Sequence, residues 1–107
     1  MKTFGQIIAE ARKALGISQK DLAGKIRKED GVTISPQYLN DIEHDRRDPP
    51  SEFLIEQFAK QLKLSKEHLL AAAGRWPADI RDRLAAADPK KVEEAFTAFR
   101  KVLKERA

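Results

Sequence analysis

Apolar residues recur at spacings of three and four along most of the chain. Phe4, Ile7, Ile8, Ala11 and Leu15 share one face of a predicted helix. Thr3 and Gln6 stand at its start as a capping box, each side chain satisfying the other residue's free backbone N–H, and Gly16 closes it. The same signals repeat downstream. Ser18 caps a second helix, with Asp21 near its positive end and Leu22, Ala23 and Ile26 inward. That helix is expected to run to about Lys28 and to fray over Lys28-Glu29-Asp30-Gly31. Ser35 caps a third helix with Pro36 at its first position, where a missing N–H costs nothing. Arg47-Asp48-Pro49-Pro50 makes a turn. Ser51 caps a fourth helix carrying Leu54, Ile55, Phe58, Ala59 and Leu62. Ser65 caps a fifth, anchored by Leu69, Leu70 and Ala73 and ended by Gly74. Val32-Thr33-Ile34 is the one β-branched run, too short to predict a strand. The pattern predicts an all-α fold, with five helices joined by short turns in one bundle over residues 1–75.

Residues 76–107 read as a helical C-terminal extension. Trp76-Pro77 breaks the chain, and Trp76 is expected to anchor this tail on the bundle. A short helix from about Ala78 to Ala87 would turn Ile80 and Leu84 inward, and Asp88-Pro89 starts a last helix. There Val92, Phe96, Phe99 and Leu103 follow a heptad-like stripe, widened by Ala95 and Val102. Lys91, Glu94, Lys101 and Glu105 lie away from it. The stripe fits either the protein's own core or a dimer seam. Two phenylalanines exceed what a five-helix bundle needs on a terminal helix, which favours the seam.

The third helix is short of anchors and rich in hydrogen-bonding groups. At about 100° per residue, Leu39 and Ile42 share the inward side, while Gln37, Asn40, Asp41 and His44 face outward. Tyr38 lies on one flank and Glu43 on the other. Gln and Asn suit the adenine edge, and Asp can accept from cytosine. A solvated polar face is the plainer explanation of the wheel taken alone. A carboxylate beside an inward face needs a cationic partner, because an unpaired buried charge destabilises the fold.

Composition narrows the field without deciding it. A chain of 107 residues with 41% hydrophobic residues supports one folded domain with a modest core. No apolar run is long enough for a membrane span, and the amphipathic N-terminus does not resemble a signal peptide, so the cytoplasm is the expected location. Without cysteine, disulfides and Cys-based metal sites are excluded. His44 and His68 lack metal-ligand spacing, there is no phosphate-binding glycine loop, and Ser18, Ser35, Ser51 and Ser65 read as caps. No catalytic residue, cofactor site or metal site is therefore predicted. The net charge of +4 is compatible with nucleic acid, although both signs are mixed along the chain.

Two capped helices around a turn make a helix-turn-helix. In "ARKALGISQKDLA", "ISPQYLNDIEHDRRDPPS" and "FAKQLKLSKEHLL" the sequence resembles the Cro/Xre-type, lambda-repressor-like family over roughly residues 3–80. The resemblance implies a five-helix bundle whose second and third helices read DNA. It implies that Gln19 touches phosphate and steadies the reading helix, and that Gln37, Asn40 and Asp41 face base edges. It places Arg46 on the DNA backbone and pairs Glu43 with Arg12 of the first helix. Ser35, Tyr38, His44 and Arg47 complete the surface. The sequence departs from the family in three places: Asp45 stands where a glycine is usual, "RKEDGVTI" lengthens the turn, and the reading region is not strongly basic, because Asp41, Glu43, Asp45 and Asp48 offset His44, Arg46 and Arg47. Weak phosphate affinity per monomer calls for two linked units.

The sequence thus predicts a DNA-binding transcriptional regulator, a repressor on a palindromic operator in double-stranded DNA, acting as a homodimer through Val92, Phe96, Phe99 and Leu103. The alternative is an antitoxin-like interaction protein that binds a protein partner through its C-terminal helices and autoregulates its operon. No motif supports an enzyme.

Overall fold

The computed structural model describes residues 1–105; the last two residues of the C-terminal extension lie outside them. Among the described residues seven helices follow in order: α1 (Phe4–Ala14), α2 (Gln19–Ala23), α3 (Pro36–Glu43), α4 (Glu52–Leu62), α5 (Lys66–Ala72), α6 (Ala78–Ala86) and α7 (Pro89–Lys104). The chain divides into two compact units, Met1–Trp76 and Pro77–Ala107. No helix among the described residues is long and apolar enough to cross a membrane.

Side-chain caps set most of these starts. Thr3 and Gln6 form the reciprocal box on α1, at 3.1 and 2.9 Å. Ser18, Ser35, Ser51, Ser65 and Asp88 each accept the backbone N–H three residues on. Each cap satisfies a donor that the first helical turn leaves without a partner. Gly16 and Gly74 end α1 and α5 with positive φ.

The core of the first unit is built from the predicted stripes. Phe4 and Ile8 of α1, Leu22 of α2, Leu39 and Ile42 of α3, Ile55 and Phe58 of α4, and Leu69 and Leu70 of α5 are all buried. Each such aliphatic or aromatic side chain contributes roughly 1.5–3 kcal/mol by leaving water. Leu15, predicted on the same stripe as Phe4, sits exposed at the C-cap of α1, where the chain turns away, and Ile17 packs on the core instead.

The second helix is shorter than the sequence suggests. It ends at Ala23 rather than near Lys28, with Gly24 as its C-cap. Ile26 stays buried, but the chain then forms a tight antiparallel turn. Arg27 and Thr33 make an isolated bridge, Ile34 N–H donates to the Ile26 carbonyl at 2.9 Å, and Gly31 turns with a φ of 86°. The cause is tertiary. Gln57 of α4 accepts the Arg27 N–H at 2.7 Å and donates to the Arg27 carbonyl at 2.6 Å. One side-chain amide thus takes the place of a neighbouring strand and outcompetes the local helical preference.

Beyond α3, Arg75 donates to the carbonyls of Pro49 (2.8 Å) and Pro50, tying the end of α5 to the loop after α3. In the second unit neither α6 nor α7 holds a buried residue. Ile80, expected inward, is exposed, and Leu84 is half-buried. A helix of nine residues with only two large apolar side chains offers too narrow a stripe for full burial. On α7, Val92 and Phe96 are half-buried, while Phe99 and Leu103 are exposed. The Arg100 guanidinium lies 6.0 Å from the centre of the Phe96 ring.

Candidate nucleic-acid interface

Helix α3 is fixed from beneath by one polar knot. Arg12 donates from Nε to Glu43 Oε2 at 2.6 Å and from Nη2 to Oε1 at 2.9 Å. Its Nη1 donates to the Ile17 carbonyl at 2.9 Å. Gln19 at the start of α2 donates to Glu43 Oε1 at 2.9 Å and to Asn40 Oδ1 at 3.1 Å. Three helices therefore meet on a single carboxylate. Glu43 and Arg12 are both buried, with side-chain exposures of 3% and 11%. Burial alone would push the Glu43 carboxyl up. Hydrogen bonds from Arg12 and Gln19, with the charges of Arg12 and Lys13, outweigh it and hold the group below the usual glutamate range. The Glu43 hydrogen bond raises the pKa of Arg12 in turn.

A second fixing point lies at the C-terminal end of α3. Asp45 adopts a left-handed backbone with a φ of 56°. Its Oδ1 accepts the Gly5 N–H at 3.0 Å and its Oδ2 accepts the Thr3 hydroxyl at 2.5 Å. The aspartate thus occupies the conformation that glycine usually supplies and also caps α1 in trans. The approach is so close that only glycine fits at position 5. A Cβ there would lie 2.3 Å from the Ile42 carbonyl oxygen and 2.8 Å from that of Glu43. Those carbonyls belong to the negative end of α3 and face the positive end of α1, a favourable alignment of helix dipoles.

Above these supports, α3 presents the polar face. Gln37 and His44 are exposed, whereas Tyr38, Asn40 and Asp41 are half-buried. Asn40 is drawn toward α2 by Gln19 rather than standing free in solvent. His44 Nδ1 lies 2.9 Å from the Asn40 carbonyl, so that nitrogen carries the hydrogen. The Ser35 hydroxyl is engaged as the cap, accepting the Tyr38 N–H at 3.0 Å.

Asp41 gathers the rest of the face. It accepts from Gln37 Nε2 at 3.0 Å and pairs with Arg46 at 3.4 Å and with Arg47 at 3.8 Å. The Arg47 guanidinium also lies 4.7 Å from the centre of the Tyr38 ring. Sequence reasoning missed this gathering, because both arginines lie past the helix end, where helical spacing rules stop. It also missed Gly5 and the cap by Asp45. A glycine inside a periodic helix is the signal that could have pointed to a close approach. Val92, Phe96, Phe99 and Leu103 belong to the second unit.

A short capped helix, braced on a preceding helix and showing amide, carboxylate and guanidinium groups along one face, defines a helix-turn-helix DNA-binding domain. The model of the helix-turn-helix domain family matches residues 5–75, and the chain belongs to that family, in its Cro/Xre, lambda-repressor-like form. Among solved structures it is similar to SinR in a SinR protein/SinI protein complex. That match has 27% identity and a TM-score of 0.53, and covers 97% of this chain and 100% of that one. No curated protein matches the chain.

Proposed function

We propose that this protein is a sequence-specific transcriptional repressor that binds a palindromic operator as a homodimer. The observation that carries the reading is α3 itself, whose polar face is held in place by Arg12, Glu43 and Gln19 and flanked by Arg46 and Arg47. In this reading Gln37 and Asn40 contact base edges, and Asp41 accepts from a cytosine amino group. Arg46 and Gln19 meet the DNA backbone and set the register. The homodimer forms through Val92, Phe96, Phe99 and Leu103 of α7. Its support is the amphipathic stripe of a helix that holds no buried residue. A dimer lying across a promoter blocks polymerase.

Selection of bound duplexes from a random pool tests the proposal. The wild type should enrich a two-fold symmetric site. Gln37→Ala and Asn40→Ala should fold normally and relax the selected sequence at single base positions. Unchanged sites for both variants would remove α3 from the role of reader.

A second reading is favoured by one observation. The SinR match comes from a complex with another protein, and it spans 97% of this chain, including its C-terminal helices. In that reading α6 and α7 bind a protein partner, as in an antitoxin. Co-purification with a stoichiometric partner, together with loss of that partner on Phe99→Asp, would favour it over the homodimer.

A further inference from the structure

We infer that Asp41 sets DNA specificity by restraint, holding Arg46 and Arg47 on the reading face and withholding them from the phosphates of non-cognate duplex. The inference rests on the DNA-binding reading above. Three observations carry it. Asp41 is the half-buried partner, with a side-chain exposure of 22%, whereas the arginines expose 57% and 54%. The carboxylate is thus the better-packed partner and the guanidiniums are the solvent-exposed ones. Gln37 donates to the same carboxylate at 3.0 Å and orients it. Arg47 is further confined by the Tyr38 ring, 4.7 Å away.

Two consequences follow from elementary electrostatics. A phosphate that approaches either arginine also meets the negative charge of Asp41 a few ångströms behind it, so the attraction is partly cancelled. No other carboxylate pairs with these arginines among the described residues; Glu43 is committed to Arg12, and Asp45 to Gly5 and Thr3. The pairs are long and well exposed, so they are weak enough for DNA to break. Once an arginine leaves for phosphate, the carboxylate faces the groove and needs a donor. Cytosine presents an amino donor there, and adenine one beside its N7 acceptor, while thymine and guanine present acceptors that repel it. Cognate sequence therefore compensates the lost pair, and other sequences do not.

The test compares wild type with Asp41→Asn, which keeps side-chain size and an acceptor for Gln37 but removes the charge. Binding is measured on the selected operator and on a scrambled duplex of equal length over a range of KCl. At about 0.1 M salt Asp41→Asn should bind the scrambled duplex about tenfold more tightly, with a salt slope steeper by about one to two units, as one or two further phosphate contacts require. The operator should gain less, so discrimination falls. Asp41→Ala removes the same charge and should move scrambled-duplex binding in the same direction. Adding Arg46→Ala and Arg47→Ala to Asp41→Asn should abolish the gain. If the wild type binds its operator but neither Asp41 variant binds the scrambled duplex more tightly, the inference fails alone. If the wild type binds no duplex, the inference falls together with the reading beneath it.

Discussion

Asp45 caps a helix that begins forty-one residues before it, with its Oδ1 accepting the Gly5 N–H at 3.0 Å. The contact exists because Gly5 has no side chain to hold α1 away from the Ile42 and Glu43 carbonyls. Gly5→Ala should therefore destabilise the fold by about 1–3 kcal/mol or more through overpacking. Asp45→Ala should cost about 1–2 kcal/mol, since it keeps the left-handed strain and loses the cap. Asp45→Gly loses the cap but relieves the strain, so it should cost less than Asp45→Ala. Urea unfolding of the three variants gives the order directly.

The Arg12–Glu43 pair predicts asymmetry between single and double changes. Arg12→Met or Glu43→Leu alone should cost about 3–5 kcal/mol, because each leaves a buried charge without its partner. The double variant should cost less than either. Additive losses in a double-mutant cycle would mean that the two residues act independently.

Acid should weaken the same knot. The Glu43 carboxyl is held below its ordinary value in the fold. Its contribution is present above the unfolded value near pH 4.3 and is lost as pH falls through the folded value, where the unfolded chain binds the proton first. Glu43→Gln should be less stable at neutral pH and should flatten the fall in stability below about pH 4.3. Thermal melts from pH 3 to 7 read this difference.

Contacts to phosphate and to bases separate by salt. Arg46→Ala should weaken the selected operator without relaxing any single base position and reduce its salt slope by about one unit, while scrambled duplex, from which Asp41 withholds this arginine, should change little. Gln19→Ala should behave differently, because Gln19 holds Asn40 as well as Glu43. It should also blur the base position that Asn40→Ala blurs. A purely uniform loss for Gln19→Ala would sever that link.

Phe96→Asp with Phe99→Asp should give a folded monomer that has lost most operator affinity. Sedimentation at micromolar concentration measures the first effect and operator binding the second. Half-sites in the wild-type operator should be centred ~34–36 Å apart, about 10 base pairs. A double variant that unfolds would assign the stripe to the protein's own core.

Local chemistry made most of the first unit legible in the sequence. Ser18, Ser35, Ser51 and Ser65 mark helix starts because a cap is a contact over three residues, and the stripe over Leu54, Ile55, Phe58 and Leu62 is likewise local. What escaped depends on distant partners. The early end of α2 needs Gln57, thirty residues on. The burden on Gly5 comes from Ile42 and Glu43, and the gathering at Asp41 comes from residues past the helix end. The polar wheel of α3 was visible, but the inward pull of Gln19 on Asn40 was not.

The clamp of Gln57 on Arg27, with the bridge to Thr33, separates the length of the α2–α3 connection from the angle it sets. Lys28, Glu29, Asp30, Gly31 and Val32 hang beyond these fixed points and are all exposed. Added or exchanged residues at this tip lengthen an overhang and leave the hinge alone. The tip is thus a place where a lineage can experiment, or where an epitope or fluorophore can be grafted, without re-aiming the helix behind it.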